Sequence, residues 1–155
     1  MKNKYFKTKK MDEVWKERLI ELNSDYFKKD PFLKLLHEKL LSIGGEEVAI
    51  KFESDLDKIM LFGEVFDGKN SHKVKGIRSS CHLNSALIWM NNKDATVICI
   101  GWALSKDGVW RQHTWIFDKE FNAIVETTEK RIAYFGFRLN LEESEKFSKA
   151  NLKDF

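Results

Sequence analysis

Three residues of this 155-residue chain, Cys81, His113 and Glu126, have the types and spacing to transfer an acyl group between them. Cys81 follows Ser79-Ser80, two good helix N-caps, and opens a run without Gly or Pro (SSCHLNSALIWMN), which places it in the first turn of a helix. There, unpaired backbone N–H groups and the helix dipole stabilise an anion, so the thiol pKa falls. A lone cysteine at a helix start is more commonly a small packing residue, so the chemical reading needs a base. His113 lies in VWRQHTWIF (109–117) and Glu126 in NAIVETT (122–128), both strand-like. A hairpin loop centred on Lys119-Glu120 would oppose the two directly, with Cβ atoms about 4.5–5.5 Å apart, so that the carboxylate accepts the imidazole N–H and fixes its tautomer. The set then reads as nucleophile, base and orienter: the thiolate attacks an acyl carbon and the imidazolium protonates the leaving group. A one-residue change in loop length would send Glu126 to the other face.

The neighbouring residues suggest a cleft. A two-residue turn at Asp107-Gly108 would set Trp102 opposite His113 as a cleft wall, with Trp115 close by in the same strand. Asn84 shares the helix face of Cys81 at i+3, and Ser85 does so at i+4. Asn84, Trp102 and Trp115 are the candidate substrate-binding residues, each with a packing role as the competing reading. Cys99, between Ile98 and Ile100, reads as an inert core thiol; His37 reads as a partly exposed helix residue and His72 as a solvated loop residue. Cys81-His82 with Cys99 and His113 matches no zinc spacing, so neither a metal nor a cofactor is called for.

The elements that must position these residues follow from periodicity. Trp15, Leu19, Leu22 and Tyr26 recur at helical spacing over 12–28, and Asp30-Pro31 opens a second helix that Gly44-Gly45 stops. EVAIKFE (47–53) and KIMLFGEVF (58–66) read as two strands of a hairpin, and the polar stretch 67–76 as a binding loop. After the helix of Cys81 come strands at 96–104, 109–117, 122–128 and 131–139, then a charged helix from about 142. The order predicts an α+β fold: a helical pair (11–45), a core with a buried Cys81 helix packed on an antiparallel sheet (46–140), and a C-terminal helix (141–155) in one domain.

Residues 78–128 carry a further pattern: RSSCHLNSALIW, then ICIGWAL, QHTWIF and IVETT. This resembles the core of the transglutaminase-like branch of the papain-like cysteine enzymes. The resemblance implies Cys81 as nucleophile, His113 as base and acid, and Glu126 as third member, with Glu126-Thr127 standing where that branch usually has Asp-Pro.

Composition bounds the alternatives. At 43% apolar and 13% aromatic residues the chain is globular. Net charge is +3, but the first ten residues hold five lysines and no acid, which leaves −2 on the rest. The basicity belongs to a solvated tail (1–10), which weakens the case for nucleic acid as a partner. Without a long apolar run or a secretory pattern, the expectation is a cytoplasmic protein with free thiols and no membrane contact. The expected function is cysteine-dependent acyl transfer on a peptide, protein or small amide; the alternative is a catalytically inactive protein-binding module on the same fold.

Overall fold

The structure is a computed structural model that describes residues 5–154. It opens with α1 (Glu13–Lys29), capped by the Asp12 carboxylate on the Trp15 N–H, and α2 (Leu33–Ile43), which Gly44 ends. Leu33, Leu36 and Leu40 of α2 are fully buried, each worth about 1.5–3 kcal/mol of apolar burial. On α1 the buried residues are Leu19 and Asn23; Leu22, one of the residues at helical spacing, is exposed. Asn23 bonds the carbonyl of Val48 and the N–H of Ile50, tying α1 to the next segment. His37 is partly exposed, as expected, and its Nε2 pairs with the buried Glu47 carboxylate. Residues 1–4 of the expected tail lie outside the described residues. Its later part is pinned: Phe6 donates to Ile43 O and accepts from Gly45 N–H.

The expected hairpin over 47–66 does not form. Its first strand is reduced to β1 (Glu47–Val48), which runs parallel to β5 (Val109–Asp118). The second run is α3 (Leu56–Phe62), followed by β2 (Glu64–Asp67). Ile59 is buried while Met60, Leu61 and Phe62 are exposed, so an apolar run that looked like a strand is a short helix with one inward residue. The expected loop 67–76 contains β3 (Ser71–Lys73), which joins the sheet edge parallel to β6 (Ala123–Glu126).

The rest of the α+β expectation holds: α4 (Cys81–Asn91), β4 (Thr96–Leu104), β5, β6, β7 (Ala133–Arg138) and α5 (Leu141–Leu152), the last started by an Asn140/Glu143 capping box. The seven-stranded, mostly antiparallel sheet runs β2-β7-β4-β5-β6-β3, with β1 beside β5. Ile98, Trp102, Trp110 and Ile116 point into the main core with the α2 leucines and Trp89 of α4. On the opposite face, Cys99, Ala103, Trp115, Phe117, Ile124 and Tyr134 pack with Phe66.

Candidate active site

A gap along one edge of β5 makes room for Cys81. β1 pairs with β5 at residues 109–110 and β6 pairs at 116–118, so the intervening residues carry no strand on that side. The N-terminus of α4 occupies the gap. Cys81, half-buried in its first turn, is close enough to the His113 ring and the Thr114 backbone N–H for both to act on its thiol. Ser79, just before the helix, has φ 57, the left-handed conformation that non-glycine residues seldom adopt.

His113 is buried, and its Nε2–H donates to Glu126 Oε1 at 2.7 Å. That leaves Nδ1 for the sulfur. Trp115 and Tyr134 stack near the imidazole, with ring centroids 6.3 and 6.1 Å away, and restrict its tilt. Glu126 has no solvent exposure, yet both oxygens are satisfied. Oε1 also accepts the Tyr134 hydroxyl at 2.8 Å. Oε2 accepts the Thr127 and Thr128 N–H groups and the Thr128 hydroxyl at 2.9, 3.0 and 3.1 Å. Burial favours the protonated carboxyl, but His113 and these donors outweigh it and hold Glu126 at about 2, ionised at any working pH. Burial and the neighbouring carboxylate push the Tyr134 phenol up, so it remains a donor.

The same competition operates at the thiol. Burial works to raise the Cys81 pKa; the hydrogen bond to His113, the charge of that ring and the Thr114 N–H overcome it, and Cys81 sits below the ordinary thiol range. His113 is correspondingly raised, because its bonds to Cys81 and Glu126 outweigh a burial effect that favours the neutral ring. The pair is thus biased toward thiolate and imidazolium. Cys99, fully buried among apolar neighbours, is shifted the other way, well above the ordinary range.

The structure brings Cys81, His113 and Glu126 together, but not by direct opposition of His113 and Glu126. The β5–β6 ladder pairs Asp118 with Ala123, centring the loop on Glu120-Phe121, with Asn122 at φ 49. Continued, that register opposes Glu126 to Trp115, and His113 is reached along the diagonal, within the span of a glutamate side chain.

The three candidate substrate-binding residues are all buried. Trp102 is on the other face of the sheet, fully buried, with its Nε1–H on Glu53. The β4–β5 turn is a three-residue loop with Gly108 at φ 88, so Gly101 and not Trp102 opposes His113. Trp115, 1% exposed, packs beside the imidazole and does not face solvent. Asn84 spends its side chain on both backbone groups of Ile77, where it orders the segment leading into α4. Among the described residues no group of three or more His, Cys, Asp or Glu side chains could hold a metal ion. His82 Nδ1 is engaged by the Thr114 hydroxyl at 2.6 Å, and Cys99 belongs to the apolar cluster of Trp115.

Sequence reasoning missed Tyr134, Thr128 and the Thr114 N–H. Strand parity relative to Gly136 could have pointed to Tyr134, and the Glu-Thr-Thr sequence to a carboxylate folded back on its own following N–H groups. In comparisons with protein-family models, curated proteins and solved structures, nothing matches this chain.

Proposed function

We propose that this protein is a cysteine-dependent acyl-transfer enzyme with a papain-like arrangement of Cys81, His113 and Glu126. The observation that carries the reading is the continuous chain from the Glu126 carboxylate through the His113 ring to a thiol with lowered pKa at a helix N-terminus. The Cys81 thiolate attacks the carbonyl carbon of an amide or ester. The tetrahedral oxyanion forms beside the Cys81 backbone N–H, one of the donors left unpaired in the first helical turn. His113, as imidazolium, gives its proton to the departing amine or alcohol, leaving a thioester on Cys81 and a neutral ring. The ring then takes a proton from water or an amine as that nucleophile attacks the thioester; the Cys81 thiolate departs and the thiolate–imidazolium pair is restored. Glu126 holds the ring in the tautomer with Nε2 protonated and stabilises its charged form.

The test is a trapping experiment. Incubation with an activated p-nitrophenyl ester should add one acyl mass, mapped to the peptide containing Cys81 and removed by hydroxylamine. Cys81→Ala should abolish the adduct. Acylation elsewhere, or none, would contradict the enzyme and leave a binding module on this fold.

A further inference from the structure

The cleft onto which Cys81 opens has a volume of about 590 Å³ and a wall of unusual charge. Lys73, Lys75, Arg78, Arg111 and Arg131 line it, against a single carboxylate, Glu129. The body of the chain is not basic, since residues beyond the first ten carry a formal charge of −2, so this is a local concentration of cations. Arg111 is neutralised by Asp107, through two hydrogen bonds of 3.1 and 2.7 Å. Among the described residues the hydrogen bonds of Arg131 go to neutral oxygens, the Ser105 hydroxyl, the Glu129 carbonyl and the Thr128 hydroxyl, while its charge also acts on the Asp107 carboxylate, which Arg111 already pairs. Among the described residues Lys73, Lys75, Arg78 and Arg131 form no ion pair with a carboxylate. Four cations therefore face one cleft, from the end of β3, the segment that follows it and the β6–β7 connection.

The opposite side of the site has the reverse character. A second hollow of about 370 Å³, which shares Gln112 and His113 with the first, is lined by Glu53, Asp55 and His82 and by no Lys or Arg. An anion is attracted on one side of the catalytic pair and repelled on the other.

We propose that the cleft binds an acidic peptide segment, seating its carboxylates on Lys73, Lys75, Arg78 and Arg131 so that the acyl carbon lies over Cys81. This rests on the acyl-transfer reading and adds a substrate class to it. Carboxylates lie on one side only of the bond that is attacked, because Glu53 and Asp55 disfavour them on the other. Electrostatic attraction of this kind steers association and weakens with salt.

Binding is measured by fluorescence anisotropy on the full chain carrying Cys81→Ala, with labelled decapeptides that have a central Gln-Gly. One peptide carries four glutamates on one side of that bond, one carries four glutamines there, and one carries four lysines. A single-stranded oligonucleotide of equal charge is the fourth probe. The acidic peptide should bind about tenfold more tightly than the neutral one at low salt, with the lysine peptide weakest, and the preference should shrink as salt is raised. Lys75→Glu with Arg78→Glu, both exposed positions, should erase the preference, while Lys146→Glu on α5 should leave it unchanged. Equal binding of acidic and neutral peptides overturns the proposal, and so does stronger binding of the oligonucleotide. With Cys81 restored, acylation of Cys81 by the neutral peptide as fast as by the acidic one overturns the substrate class but leaves the enzyme standing. Salt-sensitive acidic-peptide binding with no acyl adduct supports the docking wall and overturns the enzyme.

Discussion

Glu126 reaches His113 across a diagonal of the β5–β6 ladder, and the 2.7 Å hydrogen bond between them is the inner end of a network that leaves neither carboxylate oxygen unsatisfied. A buried carboxylate with five donors around it is held both as an anion and in position, and the ring it orients inherits that rigidity.

Glu126→Gln should therefore be severe. An amide placed among the Thr127, Thr128, Tyr134 and His113 donors offers one acceptor oxygen and an NH₂ that faces other donors. Loss of the charge leaves His113 nearer its ordinary pKa. Turnover should fall about 10³–10⁴-fold, and unfolding free energy by about 3–5 kcal/mol. Urea denaturation beside single-turnover acylation separates the two, and a variant with full activity would show that Glu126 does not orient the base.

The acid limb of stability follows from the same residue. Glu126 has a folded value of about 2 against an ordinary 4.5, so its contribution is complete above 4.5 and is lost as pH falls from there toward 2. His113 is shifted up, so its contribution is present below 6.5 and is lost as pH rises through the folded value. Urea unfolding from pH 2 to 5 should show a steeper loss in the wild type than in Glu126→Gln; parallel slopes would rule out a depressed Glu126.

Tyr134→Phe removes one donor and leaves four. Its cost should be about 1–3 kcal/mol, with turnover within roughly tenfold of wild type, because the His113 contact survives. Loss of activity on the scale of Glu126→Gln would mean that the phenol acts on substrate, which its burial does not permit.

Gly136 tests the packing under the imidazole. A methyl there would lie 2.2 Å from Ile100 O and 2.7 Å from Trp115 Cη2, and Trp115 packs against His113. Gly136→Ala should destabilise the fold by about 1–3 kcal/mol and slow Cys81 alkylation, because the indole must move. An unchanged reaction rate would show that the indole does not set the position of the ring.

These relationships also show what could be read before the fold was known. Strands β4 to β7 were legible because their apolar residues alternate or run continuously between turn signals, and Cys81 because Ser80 stands before a run with no helix breaker. Loop length was not legible, and its consequences depended on parity. The loop before β6 shifted the register by two residues, which kept His113 and Glu126 on one face; the left-handed Gly108 shifted the β4–β5 turn by one, which sent Trp102 to the other. The α3 segment misled because Met60, Leu61 and Phe62 are apolar but exposed, so composition there does not report burial. The Tyr134 and Thr128 contacts depend on long-range register and on a local fold-back that no spacing rule encodes.

Whether Cys81 is an activated thiolate paired with His113 is decided by the pH dependence of its alkylation by iodoacetamide, followed by peptide mass. A half-maximal rate is expected at a pH below the ordinary thiol value of about 8.5, with a shift up to that value in His113→Ala and an unmodified Cys99 throughout. A Cys81 that titrates at about 8.5 or above in the wild type, or is alkylated no faster than Cys99, would contradict that pairing.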